Sequence, residues 1–265
     1  SVPQGSFVRQ YTDLSMTNNA GSLDITRIYK SLASKNDSGL GYGWSLLGAG
    51  SIRQYSLKVV DIYGNISEQN VPGKYAAVLP DGNTYIITKN DNGTYTCNDG
   101  RFKVTCDSTY GYFTLTSNDK TVYSFDTAGR LTSVTERSGY QKKYYYGTTG
   151  CITSYTDSSG RNYSFTYEGT HIKTITDAQG RSVTYGYSGN YLTSVTDALG
   201  NITKYTYDTA GNLTSITDGN GSVLEQATYF DSYMNTHGRL NSTTDANGKT
   251  TYYTYLDSRN ELITC

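Results

Sequence analysis

The sequence predicts an all-β protein, a tandem array of β-hairpins forming a curved, twisted antiparallel sheet or partial spiral shell. Three observations lead there. The 265 residues include 28 Tyr and 28 Gly against 6 Phe and 1 Trp, so the interior must pack largely on tyrosine, whose broad ring suits a strand and whose hydroxyl keeps a polar handle. Thr, Asn, Asp and Gly are abundant and Pro is rare, the pattern of strands broken by tight turns. A self-similar unit also recurs about every 20 residues, room for two strands of about six residues and two turns.

The repeat is clearest over 201–221, NITKYTYDTAGNLTSITDGNG, with copies at 181–200, 161–180 and 140–160 and a weaker one at 120–139. Two irregular copies follow, 222–248 with an insertion around 230–237, and 249–265. The anchoring glycines Gly139, Gly160, Gly180, Gly200, Gly221 and Gly248 are spaced by 21, 20, 20, 21 and 27 residues. Tyrosines two apart leave one face of a strand, which places Tyr144/Tyr146, Tyr185/Tyr187, Tyr205/Tyr207 and Tyr253/Tyr255, with Tyr167, in aromatic ladders between repeats. Each Asp-x-x-Gly unit reads as a turn in which Asp accepts backbone amides and Gly takes a positive φ. These are Asp157/Gly160, Asp177/Gly180, Asp197/Gly200, Asp208/Gly211, Asp218/Gly221 and Asp245/Gly248. The aspartates read as turn formers rather than calcium ligands, because calcium needs several carboxylates converging from one loop. Leu213 and Ile216 are three apart, which requires either a bulge between them or a sheet buried on both faces.

Charge and cysteine usage remove several function classes. The net charge is −1, from 22 basic and 23 acidic residues, with no basic stripe to neutralise phosphates, so no nucleic-acid partner is expected. No apolar run reaches the ~18–20 residues of a membrane span. The start at Ser1-Val2-Pro3 reads as a processed or trimmed N-terminus, in keeping with a secreted, extracellular or cell-surface protein. Cys97 and Cys106 form a candidate disulfide if the Asn98-Asp99-Gly100 turn loops out; in a regular two-residue hairpin they stand roughly 13 Å apart, too far to bridge. Cys265 is a candidate for an intermolecular bond. No metal or other cofactor is expected, since no Cys-x-x-Cys exists and the two histidines, His171 and His237, read as surface turn residues. No nucleophile elbow, phosphate loop or zinc motif is present, and pairs such as Asp126/Glu136 arise readily by chance, so no enzymatic activity is expected. Trp44, set among glycines, reads as a core anchor.

The unit from Gly200 to Gly221 resembles the YD or Rhs repeat of bacterial Rhs proteins, wall-associated and Tc-toxin shell proteins, and teneurins. The likeness covers 120–265. Upstream, Thr12-Asp13-Leu14, Leu23-Asp24-Ile25-Thr26-Arg27-Ile28-Tyr29 and Gly39-Leu40-Gly41-Tyr42-Gly43-Trp44-Ser45 resemble the segment that leads into such repeats, and 75–125 the degenerate early hairpins that follow it. The expected organisation is a lead-in at 1–55, early hairpins at 56–119 and repeats at 120–265. The resemblance implies a non-catalytic extracellular structural module, either a segment of a shell or a subunit that self-assembles into an oligomer or filament through open strand edges. It also implies two alternatives: a carbohydrate- or receptor-binding adhesion module, with cell-surface carbohydrate stacked on exposed tyrosines, or the wall of a toxin-enclosing cocoon. Rhs cores close with a proline-containing segment, and no proline follows Pro80 here.

Overall fold

The computed structural model of the chain describes residues 5–19, 21–60, 66–230, 239–256 and 262–263. Among them the regular elements are β-strands, apart from a three-residue 3-10 turn at Ser31–Ala33. No helix among the described residues is long and apolar enough to cross a membrane. The chain divides into two compact units, one of residues 1–16, 24–46 and 164–265, the other of residues 17–23 and 47–163.

In the first unit, eight strands from His171–Asp177 to Thr250–Tyr252 each pair antiparallel with the next in sequence, two per repeat. In the second, ten strands from Ser51–Val60 to Ile152–Asp157 do the same. Tandem antiparallel hairpins are therefore the architecture, as the period near 20 predicts. The strands Val8–Asn18, Gly21–Lys30 and Trp44–Leu47 form a separate three-stranded sheet.

A bulge resolves the Leu213/Ile216 spacing. Tyr207 faces Leu213 and Thr206 faces Ser215, leaving Thr214 as the extra residue. Leu213 and Ile216 thereby reach the same side, and both are buried. The same offset places the extra residue at Thr132, Thr153 and Thr193. Each of these threonines, like Thr214, donates its hydroxyl to a carbonyl of the facing strand, at 3.0–3.2 Å. Thr suits the position because its hydroxyl engages a backbone group that the interrupted ladder leaves without a strand partner.

Repeats are tied to one another by tyrosine hydroxyls. Tyr146 donates to the Leu131 carbonyl, Tyr187 to Ile172, Tyr207 to Leu192, Tyr229 to Leu213 and Tyr255 to Leu240, at 2.6–2.8 Å. In all but one the acceptor lies 15 residues back, and in that one 16; it is an apolar residue first or second in the previous hairpin's second strand. Ring contacts between repeats also occur, as at Tyr191–Tyr207 and Tyr155–Tyr163, but the recurrent link is the hydroxyl. Phenylalanine would fill the space and lose the bond, which accounts for Tyr outnumbering Phe.

The turns hold a detail absent from the sequence reading. Asp157 Oδ1 accepts the Ser159 and Arg161 amides, while Oδ2 accepts Arg161 Nε at 2.7 Å. Asp177 does the same with Gln179 and Arg181, and Asp197 with Leu199 and Asn201. Asp208 is clamped by Asn212, and Asp218 and Asp245 accept two amides each. The residue after each glycine is thus part of the turn, and Arg or Asn there lets a side chain close on the second carboxylate oxygen. Its sequence signal is the residue that follows the glycine, as at Arg130, Arg161, Arg181, Asn201 and Asn212. These carboxylates are occupied by their own turns.

Gly211 differs from the other five turn glycines in its surroundings. It closes the expected turn, its amide donating to the Asp208 carbonyl at 3.0 Å. Yet it is buried, whereas Gly160, Gly180, Gly200, Gly221 and Gly248 are exposed. A Cβ at Gly211 would lie 2.8 Å from the Tyr191 hydroxyl and 3.1 Å from Lys35 Nζ. The reason is its place in the hairpin. The Asp208–Gly211 turn joins the two strands within a repeat, at the opposite strand end from the turns between repeats, and there Tyr191 and the lead-in residue Lys35 cover it. Gly211 is therefore a packed turn residue, not a solvent-facing one.

Two other glycines separate conformation from crowding. Gly160 has φ +80° with open space where a Cβ would stand, while Gly129 has φ +75° and a Cβ there would lie 1.9 Å from the Ile52 carbonyl oxygen. Gly160→Ala is expected to cost about 1–2 kcal/mol, the left-handed backbone alone. Gly129→Ala should cost at least about 1 kcal/mol more, because backbone must move. Urea midpoints of the two variants check this.

Cys97 and Cys106 are free thiols, so the candidate disulfide is not formed. Tyr95 faces Val104 and Thr96 faces Lys103, a register that staggers the two cysteines along their strands. The Cys97 thiol instead lies 3.3 Å from Asp99. Cys265 and His237 lie outside the described residues.

Candidate functional site: the lead-in seated on the repeats

In the first unit the lead-in packs its apolar side against the repeats. Leu14, Ile25, Ile28, Tyr29, Leu40 and Trp44 are buried. Alternation explains part of this, since Leu23, Ile25 and Arg27 leave one side of the strand Gly21–Lys30. Trp44 is 1% exposed. Its ring meets Tyr29 at 5.3 Å and Tyr205 at 5.1 Å, and its Nε1 donates to the Tyr207 hydroxyl at 2.9 Å. That hydroxyl in turn donates to Leu192, so the tryptophan joins the chain of inter-repeat tyrosine bonds. The Tyr29 hydroxyl accepts the Leu213 amide at 2.9 Å, at the bulge.

Beside Trp44 lies a buried ion pair. Arg27 Nε stands 2.8 Å from Asp13 Oδ2, the two side chains being 3% and 5% exposed. The Tyr185 hydroxyl donates to the same oxygen at 2.8 Å. The guanidinium sits over the rings of Tyr11, Trp44 and Tyr205 at 4.6, 4.7 and 5.3 Å, contacts that offset part of its desolvation. Burial pushes the Asp13 carboxyl above its ordinary range, against the pull of Arg27 and Tyr185. Burial also pushes the Tyr185 hydroxyl well up.

A glycine-rich loop crosses the hairpin tips. The Gly39 carbonyl accepts the Ile172 amide, Tyr42 N donates to the Asn190 carbonyl, and Asn190 Nδ2 donates to the Tyr42 hydroxyl. At Gly41, φ is +82° and a Cβ would lie 2.8 Å from the Asn190 carbonyl oxygen, so the strap requires glycine there. Asp37 accepts the Gly39 and Gly41 amides through Oδ1 and meets His171 Nε2 through Oδ2 at 2.6 Å. His171 is therefore no bare turn residue: its ring stacks on Tyr187 at 4.6 Å and its side chain is 12% exposed.

In the second unit, Arg161 leaves its own turn to reach the tip of the lead-in hairpin, donating from Nη1 to the Gly21 carbonyl at 2.7 Å and from Nη2 to the Tyr140 hydroxyl at 2.9 Å. Tyr163 donates to the Leu23 carbonyl at 2.8 Å.

Of the tyrosines singled out by the repeat, Tyr144, Tyr185 and Tyr205 are buried; Tyr146, Tyr167, Tyr187, Tyr207, Tyr253 and Tyr255 are half-buried. None of the nine is exposed. The lead-in residues Asp13, Tyr29, Asp37 and Arg27, which sequence reasoning leaves without a role, form most of the site.

The acid side of stability follows from the turns. Burial raises the Asp157 carboxyl, but bonds from Tyr140 and Arg161 outweigh it and hold the group below its ordinary range. Bonds from Asn201 and Ser222 likewise lower Asp197 and Asp218. A carboxyl lowered by folding contributes stability above its unfolded pKa of about 4, lost as pH falls through the folded value. Asp13, raised by folding, has the opposite sign and offsets part of this. The urea midpoint is expected to hold from pH 7 to about 5 and to fall below about 4, with a shallower fall in Asp157→Asn.

One family model agrees with the repeat pattern. The model of the RHS repeat matches residues 188–223, and that of a domain of unknown function (DUF6531) matches residues 1–63. No curated protein matches this sequence. Among solved structures, TcdB2-TccC3 is similar at 12% identity and a TM-score of 0.37, over 95% of this chain and 16% of that one. A Photorhabdus luminescens Tc holotoxin pore is similar at 11% identity and a TM-score of 0.37, over 90% of this chain and 15% of that one. The chain thus spans about one sixth of the length of these structures.

Proposed function

We propose that this chain, a member of the YD/RHS-repeat family, is a non-catalytic segment of wall in an extracellular RHS/Tc-type shell. The observation that carries the reading is the seating of the lead-in on the repeats. Its apolar side, its tryptophan and its buried ion pair are all spent on holding hairpins in place. The repeat itself is suited to a wall, because each hairpin joins the next by a strand ladder and a tyrosine bond that any further hairpin can extend.

Self-assembly through strand edges and enclosure of a cargo belong to the same reading as finer proposals. Electron microscopy of the protein produced from its entire native gene tests it. The wall reading expects a hollow particle in which an antibody or tag inserted at the exposed turn of residues 107–112 marks the wall. A compact particle without a lumen, or one whose repeats bind immobilised glycans and present bare tyrosines, contradicts it.

A further inference from the structure

Repeats that resemble one another pose a problem of register. The lead-in could slide by one hairpin, 20 residues, and still find apolar side chains and tyrosine hydroxyls. One row of positions differs. Two residues before Tyr146, Tyr167, Tyr187, Tyr207 and Tyr229 stand Tyr144, Phe165, Tyr185, Tyr205 and Ala227, all of them buried. Buried tyrosines fill two successive places in this row once, at 185 and 205, since Tyr123, which holds the same place in the copy at 120–139, is only half-buried.

We propose that the Asp13–Arg27 pair reads the Tyr185–Tyr205 couple and so fixes which repeats receive the lead-in. Asp13 takes the first tyrosine's hydroxyl and Arg27 covers the second tyrosine's ring. Moved one repeat toward the N-terminus, Asp13 meets Phe165, which has no hydroxyl, and a buried carboxylate loses a donor. Moved one repeat toward the C-terminus, Arg27 meets Ala227, which has no ring, and a buried guanidinium loses a face. Two repeats toward the N-terminus, Tyr144 and Phe165 offer both features again. There, however, Tyr155 stands opposite Tyr144, stacked on it at 4.9 Å, where Val195 stands opposite Tyr185. A tyrosine ring occupies the room that a valine leaves. The hydroxyls differ in the same way: that of Tyr185 is bonded to Asp13, whereas that of Tyr144 is buried without a hydrogen-bond partner among the described residues. This inference stands on the contacts of the lead-in and is independent of the wall reading.

A photo-crosslinker locates the lead-in. With p-benzoylphenylalanine in place of Tyr42, whose hydroxyl and ring touch Asn190 and Tyr191, crosslinks are expected in the peptide that holds residues 190 and 191. The double variant Phe165→Tyr, Tyr205→Ala moves the tyrosine couple one repeat earlier. Crosslinks to the peptide holding Thr170 and His171 are then expected to appear, and those at 190–191 to fall about tenfold. Crosslinks that stay at 190–191 in parental yield overturn the proposal. Should the double variant not fold, Tyr185→Phe and Tyr144→Phe decide by urea unfolding. Tyr185→Phe is expected to lower the folding equilibrium constant about tenfold, and Tyr144→Phe to leave it unchanged or raise it. Equal effects at the two positions overturn the proposal.

Discussion

Asp13→Ala is expected to destabilise the protein by about 3–5 kcal/mol, the cost of leaving a buried charge without its partner. The Arg27 guanidinium is 3% exposed at its side chain, and its Nη1 already lacks a hydrogen-bond partner among the described residues. Removing Asp13 strips the ion pair and the acceptor of the Tyr185 hydroxyl together. The three rings around the guanidinium do not replace a carboxylate, since a cation over a ring gains about 0.5–2 kcal/mol at best. Asp13→Ala combined with Arg27→Met should recover most of the loss, because an apolar side chain of similar length suits the same rings. Urea denaturation of the two variants measures both numbers. A double variant as damaged as the single one would show that the arginine acts through more than its charge.

Trp44→Ala is expected to cost about as much, 3–5 kcal/mol in order of magnitude, as large aromatic truncations in cores do. The residue fills the space between Tyr29 and Tyr205, supports Arg27, and gives the Tyr207 hydroxyl its donor. Trp44→Phe should recover the packing in part and leave the Tyr207 hydroxyl without that donor. As the sole tryptophan, Trp44 also reports on the native protein. Its fluorescence should be blue-shifted in the folded state and should move to the red in Asp13→Ala before the repeats lose their far-ultraviolet signal.

Much of the fold was legible because a repeat averages out local ambiguity. Seven copies of one pattern, two of them irregular, give the period, and the period gives the hairpin. Leu213 and Ile216 announced either a bulge or a sheet buried on both faces, since two core residues three apart cannot share a flat strand's face, and the structure has the bulge. The turns were legible at Asp and Gly but not at Arg161 or Asn201, which close on the carboxylate's second oxygen. An arginine after a glycine looks like an ordinary surface charge until its partner is known. Gly211 looks in sequence like the five exposed turn glycines, because Lys35, which covers it, belongs to a distant segment. His171 reads as a bare turn residue for the same reason, its partner Asp37 being 134 positions away. The candidate disulfide failed on register, a property of the Tyr95–Cys97 and Phe102–Cys106 pairing that cysteine spacing does not encode.

The site was less legible than the fold for a related reason. Asp13, Arg27 and Trp44 occur once each, so no periodicity marks them, and their partners Tyr185, Tyr205 and Tyr207 look like every other repeat tyrosine. What sets those three apart is the segment packed over them.

Native-state hydrogen exchange read by mass spectrometry tests most directly the claim that, within the first unit, the lead-in and the repeats it covers unfold as one. The amides of residues 24–30 are expected to be protected to the same free energy as those of Ser182–Ser188 and Ile202–Tyr207, and to lose protection together with them as urea is added. Free exchange across residues 24–30 while those two repeat strands stay protected would contradict it.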